Sequence, residues 1–158
     1  MNAKMPQLKR CFESAGFANV KTVRSSGNVV FDTRMSSQAA IERKIEAAMA
    51  ETLGRTFLTL VRPVDALLEL IENDPFRAFR FPAAAKRVVT FLRAAPKSPP
   101  ALPIEVEGAR VLMIQDREVF SVYVPGPRGP VFMSLLEKTF GTHITTRTWD
   151  TIEKCAKA

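Results

Sequence analysis

Apolar and polar residues alternate in the first half of the chain in patterns that predict helices and short strands. Apolar positions recur every three to four residues in three stretches, as on one face of an amphipathic helix. Between them lie short β-rich runs bounded by turn residues. The predicted elements are helix 6–15, strands 20–23 and 28–32, a helix capped by Ser36 or Ser37 and stopped by Gly54, strand 56–61, and a helix that opens at Pro63 and ends before Asp74.

The second half predicts nearly the same order of elements after a connecting loop at 74–86. Four prolines between residues 96 and 103 leave room for a short helix at best. Asp116 and Arg117 stand between two β-rich runs at the spacing of a two-residue hairpin, although the favoured glycine is missing. The predicted elements are strand 87–93, hairpin strands 109–115 and 118–124, helix 132–140, strand 142–146 and helix 149–156.

Short residue echoes indicate that the two halves are copies of one unit. Thr52-Leu53-Gly54 matches Thr139-Phe140-Gly141, and Arg62 and Asp65 match Arg147 and Asp150, at displacements of 85 to 87 positions. A strand-helix-strand-strand-helix-strand order is the split βαβ pattern. The sequence therefore predicts an α+β fold of two ferredoxin-like halves, with helices covering antiparallel sheets. We expect a single domain over 1–158, with halves at about 1–73 and 87–158.

The first half lacks one strand of that pattern, the one that should precede its first helix. The missing strand would lie between the strands predicted at 28–32 and 56–61. Unpaired backbone groups at a buried edge each cost on the order of 1 to 3 kcal/mol. We therefore expect the two flanking strands to pair directly, or the chain to self-associate through its sheet edges.

Charge favours an anionic partner. The 158 residues carry a net charge of +7, and residues 1–62 hold ten basic against five acidic residues, whereas 63–158 hold thirteen against eleven. No apolar run approaches the length of a membrane span, so we expect no membrane association and a cytoplasmic location. Cys11 and Cys155 belong to no Cys-x-x-Cys pair and are expected to be reduced.

Two segments resemble signatures of a known family. They are Ser26-Gly27-Asn28-Val29-Val30-Phe31 and Thr145-Thr146-Arg147-Thr148-Trp149-Asp150-Thr151. With the same elements between them, they resemble the bacterial domain of unknown function 1697. The resemblance implies two ferredoxin-like halves and no particular activity. Family members usually open with an extra strand and a glycine-rich turn, which this chain lacks before its first helix.

Arg147, Trp149 and Asp150 form the most specific cluster, since they combine a guanidinium, an indole and a carboxylate at a strand-to-helix junction. One interpretation is structural: an ion pair, a carboxylate at a helix N-terminus, and an indole packed on the sheet. The other is an anion site in which Arg147 clamps the ligand, Trp149 stacks on it and Asp150 acts as a base.

Three further residues are candidates for phosphate binding. Arg24 and Asn28 lie in and beside the first predicted hairpin, and Arg128 lies in a glycine-flanked loop similar to the one that clamps nucleic acid in KH modules. His143 is the only histidine, and no spacing of ligand residues predicts a metal or cofactor. The leading hypothesis is a nucleic-acid or polyanion binding module. An enzyme or binder of an anionic metabolite, and a structural or interaction protein, are the alternatives.

Overall fold

The computed structural model describes residues 3–125 and 131–158 and has an α+β fold. Contacts divide the chain into a first unit, Met1–Glu69 with Thr151–Ala158, and a second unit, Leu70–Asp150. The helices are α1 (Met5–Ser14), α2 (Gln38–Leu53), α3 (Val64–Asn73), α4 (Val131–Phe140) and α5 (Trp149–Lys157). The strands are β1 (Ala18–Val23), β2 (Asn28–Asp32), β3 (Lys86–Leu92), β4 (Ile104–Val106), β5 (Ala109–Gln115), β6 (Glu118–Tyr123) and β7 (Ile144–Thr148).

The ends of α2 follow from local chemistry. The Ser37 hydroxyl accepts a hydrogen bond from the Ala40 N–H at 3.2 Å and so satisfies one of the free donors of the first turn. At the other end Gly54 adopts a left-handed conformation, with φ of 74°, which a residue without a Cβ adopts at little cost. Both predicted helix ends are therefore confirmed.

The core of the first unit lies between α1, α2 and the β1–β2 hairpin. Phe12, Phe17 and Phe31 form an aromatic group whose ring centroids are 4.6 to 6.0 Å apart. Tilted and edge-on arrangements of this kind are the favoured geometries of aromatic pairs. The buried members of the core are Leu8, Cys11, Phe12, Phe17, Val20, Ile41, Ile45 and Met49.

The first unit contains a two-stranded sheet, β1 paired antiparallel with β2. The prediction of a strand over 56–61 is wrong, because this segment belongs to neither sheet in the part of the chain that the structure describes. The expected direct pairing between 28–32 and 56–61 is absent from the pairings of the described residues as well. Instead, the N–H groups of Thr59 and Val61 donate to side-chain carboxylates on α2.

The second unit contains a complete antiparallel sheet in the order β4-β5-β6-β3-β7. Its four longer strands have the order expected of a ferredoxin-like half, with β3 hydrogen-bonded to both β6 and β7. The short strand β4, which directly follows the four prolines of residues 96–103, was not predicted and extends the sheet beyond β5. The last strand, β7, lies two residues later than predicted.

Helix α4 covers one face of this sheet and contributes Phe132 and Leu136 to its core. The strand residues of that core are Val88, Leu92, Ala109, Val111 and Val119. The β5–β6 hairpin turns without a glycine because Asp116 takes a positive φ of 55°, a conformation that aspartate tolerates better than most residues.

Matched hydrogen bonds support the internal duplication. The Thr52 hydroxyl donates to the Ala48 carbonyl at 2.7 Å, and the Thr139 hydroxyl donates to the Leu135 carbonyl at the same distance. Each threonine stands two residues before a glycine of positive φ at the helix end. A guanidinium nitrogen of Arg62 donates to the carbonyl of the preceding residue at 2.9 Å, and Arg147 makes the same contact.

Candidate functional site

Trp149 starts α5 directly after β7 and is buried, with 4% of its surface exposed. Its ring meets that of Phe76 edge to face at 5.1 Å. The Arg87 guanidinium lies 5.9 Å from the Trp149 ring centroid and 6.0 Å from that of Phe76, within the range of a cation–π contact. The indole is therefore enclosed by protein groups and presents no open face on which a ligand could stack.

Arg147 and Asp150 flank this tryptophan. Arg147 is half-buried on β7 and donates to the Thr146 carbonyl at 2.9 Å. Asp150 is exposed in the first turn of α5, where a carboxylate complements the positive end of the helix dipole. Arg147, Trp149 and Asp150 thus form the joint between β7 and α5. This geometry favours the structural interpretation of the cluster.

Phe76 and Arg87 belong to the same cluster but were not predicted. Phe76 is 2% exposed and lies in a short 3₁₀ helix, Pro75–Ala78, within the stretch predicted to be a loop. Asp74 starts this helix, because its side chain accepts the Phe76 N–H at 3.2 Å. The sequence motif Asp-Pro-Phe could have predicted this short helix, since aspartate before proline favours a capped turn.

Asn28 and Arg24, the candidate phosphate-binding residues of the first hairpin, have different surroundings. The side-chain amide of Asn28 donates to the Val23 carbonyl at 3.0 Å and to the Ser26 hydroxyl at 2.9 Å, so it closes the turn between β1 and β2. Arg24 lies in that turn with a positive φ of 58° and an exposed side chain. Arg128 lies outside the described residues.

In residues 1–62 the exposed charges are more basic than the formal charge of the segment. Glu42 is 5% exposed and accepts the Val61 N–H at 2.9 Å, while Glu46 accepts the Thr59 N–H at 3.3 Å. Neither carboxylate is among the exposed residues. Three acidic residues of 1–62 are exposed, against nine basic ones, which we call the basic set. The basic set is Lys4, Lys9, Arg10, Lys21, Arg24, Arg34, Arg43, Lys44 and Arg55.

Part of the basic set lies on two helices that pack together, α1 and α2. Lys9 and Arg10 are exposed on α1, and Arg43 and Lys44 are exposed on α2. The Lys44 ammonium lies 5.2 Å from the centroid of the Phe17 ring, which holds one cation close to the unit's aromatic group. These four residues are the candidate interface with an anionic polymer.

Within 3–125 and 131–158, no group of three or more His, Cys, Asp or Glu side chains is arranged to hold a metal ion. Among the same residues, no helix has the length and apolar character to cross a membrane. Cys11 is buried, Cys155 is half-buried, and both are free thiols.

A family described as "Protein of unknown function (DUF1697)" matches residues 1–120. The chain belongs to this family. The match covers the whole of the basic set and ends before Arg147, Trp149 and Asp150. Because the family is described only as one of unknown function, membership assigns no activity to any of these residues.

A solved structure of another protein has a similar fold. It is the conserved bacterial protein SP0830 from Streptococcus pneumoniae, which is 19% identical, with a TM-score of 0.67 over 99% of this chain and 88% of that one. At this identity the likeness shows the fold alone. No curated protein matches the DUF1697 chain.

Proposed function

We propose that this DUF1697 protein binds nucleic acid through the basic set of its first unit. The observation that carries the proposal is the imbalance of exposed charge in residues 1–62, nine basic residues against three acidic ones. Nucleic-acid affinity comes largely from neutralising backbone phosphates with lysine and arginine, and it requires no motif that reads bases.

The hydrogen bonds accepted by Glu42 and Glu46 support the proposal of a basic binding surface. Both carboxylates accept backbone N–H groups of the segment beside α2, so they are held by the protein. An exposed carboxylate among the basic residues would repel phosphate and weaken binding. Removing these two from the exposed surface leaves α1 and α2 with a stronger positive potential than the composition alone indicates.

The test is a titration of fluorescent single-stranded RNA, single-stranded DNA and duplex DNA at about 50 mM and about 200 mM salt. We expect affinity for the duplex to fall steeply with salt. Replacing Lys9 and Arg10 together by glutamine should make the slope of log K against log salt shallower by about two, because two phosphate contacts are lost.

The matched control replaces Lys97 and Lys138, two exposed lysines of the second unit, by glutamine. This variant has the same change in net charge and should keep the original slope. Binding of polyglutamate as tightly as nucleic acid would indicate a nonspecific cation surface. Equal losses in the two variants, or no binding at the lower salt concentration, would contradict the proposal.

A further inference from the structure

Positive charge is concentrated in one stretch of the second unit. Residues 75–104 contain no aspartate or glutamate, and the carboxylate of Asp74, just before them, lies 3.6 Å from Nε of Arg77. The nearly balanced charge of 63–158 conceals this local excess. The stretch holds six basic residues, which are Arg77, Arg80, Lys86, Arg87, Arg93 and Lys97.

The sheet places one of these arginines in a row with a second arginine from β5. Arg87 on β3 and Arg110 on β5 both stand directly opposite Val122 on β6. Opposite residues project from the same face with Cβ atoms about 5 Å apart, so the two arginines start about 10 Å apart. Their neighbours Val88 and Val111 belong to the core under α4, so the arginines project from the other face. Two long side chains at this separation can contact one small anion between them.

The Arg110 guanidinium has an incomplete set of hydrogen bonds. One of its terminal nitrogens donates to the Arg80 carbonyl at 2.6 Å, which brings residue 80 to the row. Its Nε is buried and has no hydrogen-bond partner among the described residues. A buried donor without an acceptor has lost its water without replacement. An anion beside Arg110 would supply the acceptor.

Aromatic rings hold the Arg87 guanidinium. It lies 6.0 Å from the ring centroid of Phe76 and 5.9 Å from that of Trp149, and it makes no hydrogen bond or ion pair within 3–125 and 131–158. Phe76 also contacts Phe81, the residue after Arg80, with centroids 6.4 Å apart. Contacts with ring faces leave the N–H donors of a guanidinium unused. Arg87 therefore retains donors for a ligand.

The remaining charges around the row are few. Glu105 on β4 stands opposite Arg110 and is exposed, but the two form no ion pair in the described part of the chain. The Arg80 side chain is exposed and has no hydrogen bond or ion pair with the described residues. The row thus has three guanidiniums against one carboxylate, and its potential is positive.

We propose that Arg80, Arg87 and Arg110 bind a phosphate monoester on the second unit. Such a group carries a charge of about −1.5 to −2 and three acceptor oxygens. Guanidinium groups match this geometry with paired N–H donors. A carboxylate has two oxygens and would leave one of the three arginines without a contact. A small phosphorylated molecule or the terminal phosphate of a nucleic acid can supply the group.

The test uses the intrinsic fluorescence of Trp149, the only tryptophan of the chain. Its ring lies 5.9 Å from the Arg87 guanidinium, so an anion on Arg87 changes the surroundings of the indole. The full chain is titrated with glycerol phosphate, and potassium chloride at equal ionic strength is the control. We expect a saturable fluorescence change with glycerol phosphate alone.

Variants identify the residues that bind. Arg80→Gln and Arg87→Gln should each weaken glycerol phosphate binding by at least about tenfold, since each removes charge-assisted hydrogen bonds. The Arg80 side chain is exposed, so its variant remains informative if Arg87→Gln does not fold. Arg77→Gln is the matched control: it has the same charge change, but Arg77 already pairs with Asp74, and it should keep the original affinity.

Glu105 gives an arm of opposite sign. Glu105→Gln removes the one carboxylate of the row, so it should tighten the binding of glycerol phosphate. Replacing Lys9 and Arg10 of the first unit should leave this binding unchanged. The site can therefore be present whether or not the basic set binds nucleic acid.

A duplex with a terminal phosphate, compared with the same duplex without one, distinguishes the two sources. Tighter binding of the phosphorylated duplex that Arg80→Gln abolishes assigns the site to a nucleic-acid end. Saturable binding of glycerol phosphate with no difference between the duplexes assigns it to a small molecule. The proposal is overturned if neither probe gives saturable binding, or if Arg77→Gln loses as much affinity as Arg80→Gln.

Discussion

The two units build different structures from similar sequence patterns. In the second, β3 pairs on both sides and its Val88–Leu92 are buried. In the first, residues 57–61 pair with no strand among the described residues, and Glu42 and Glu46 accept two of their N–H groups. The difference teaches that an apolar β-rich run becomes a strand only when a partner edge is present.

The carboxylates of α2 explain how the first unit keeps this segment in place. A buried N–H group without an acceptor costs on the order of 1 to 3 kcal/mol. Glu42 and Glu46 provide acceptors at the spacing of alternate strand residues. The helix therefore does for one side of the segment what a neighbouring strand does in the second unit.

The largest expected difference in stability effect between the units concerns two equivalent residues, one at the start of α5 and one at the start of α3. Trp149 is 4% exposed and packs on Phe76, whereas Val64, 85 positions earlier, is 36% exposed. Trp149→Ala should lower the free energy of unfolding by about 3 to 5 kcal/mol, because it leaves a large cavity. Urea denaturation measures this loss.

Val64→Ala is the matched control and should cost no more than about 0.5 kcal/mol, since surface substitutions are usually nearly neutral. Asp150→Asn should stay within about 1 kcal/mol, because the charge it removes lies on an exposed side chain at a helix N-terminus. An unchanged unfolding curve for Trp149→Ala would show that the joint does not depend on the indole.

The next largest effect tests whether α2 replaces a strand. Glu42→Ala removes the acceptor of the Val61 N–H and should destabilise the protein by about 1 to 3 kcal/mol. Glu42→Gln retains a side-chain oxygen and should cost less. Amide exchange at Val61 should be faster in the alanine variant than in the glutamine variant, and equal rates would argue against this role of the carboxylate.

Local sequence predicted the ends of α2 well, as Ser37 and Gly54 show. It did not predict pairing, because pairing depends on residues far apart in the chain. β4 was missed since it directly follows four prolines, which disfavour regular structure without excluding a short edge strand.

The candidate site was predicted in part. Trp149 was singled out from the sequence because it stands at a strand-to-helix junction, whereas Phe76 and Arg87 come into contact with it only through the fold. The sequence could in principle have predicted that the Glu42 carboxylate accepts a hydrogen bond inside the protein. Glu42 directly follows Ile41, within the apolar stripe of α2, and a carboxylate at a buried position needs a partner.

A smaller effect should be equal in the two units. Gly54 and Gly141 end α2 and α4 with φ of 74° and 87°, and a Cβ at either would meet no atom within 4 Å. Gly54→Ala and Gly141→Ala should therefore each cost about 1 to 2 kcal/mol from backbone strain alone. Thermal or urea unfolding compares them, and a clear inequality would show that the two helix ends are not equivalent.

The smallest effect concerns two buried hydroxyls in the complete sheet of the second unit. Ser121 and Thr90 are both fully buried, but the Ser121 hydroxyl has no hydrogen-bond partner among the described residues, whereas Thr90 Oγ1 lies 3.0 Å from Thr146 Oγ1. An unpaired buried hydroxyl has lost its water without replacement, so deleting it removes a cost, and the small void left behind offsets part of the gain. Ser121→Ala should change the free energy of unfolding by less than about 1 kcal/mol, toward higher stability. Thr90→Val keeps the side-chain shape and leaves Thr146 unpaired, so it should destabilise the protein by about 1 kcal/mol. Urea unfolding of the two variants side by side measures the difference, and a Ser121→Ala loss as large as that of Thr90→Val would mean that the serine hydroxyl is bonded in solution.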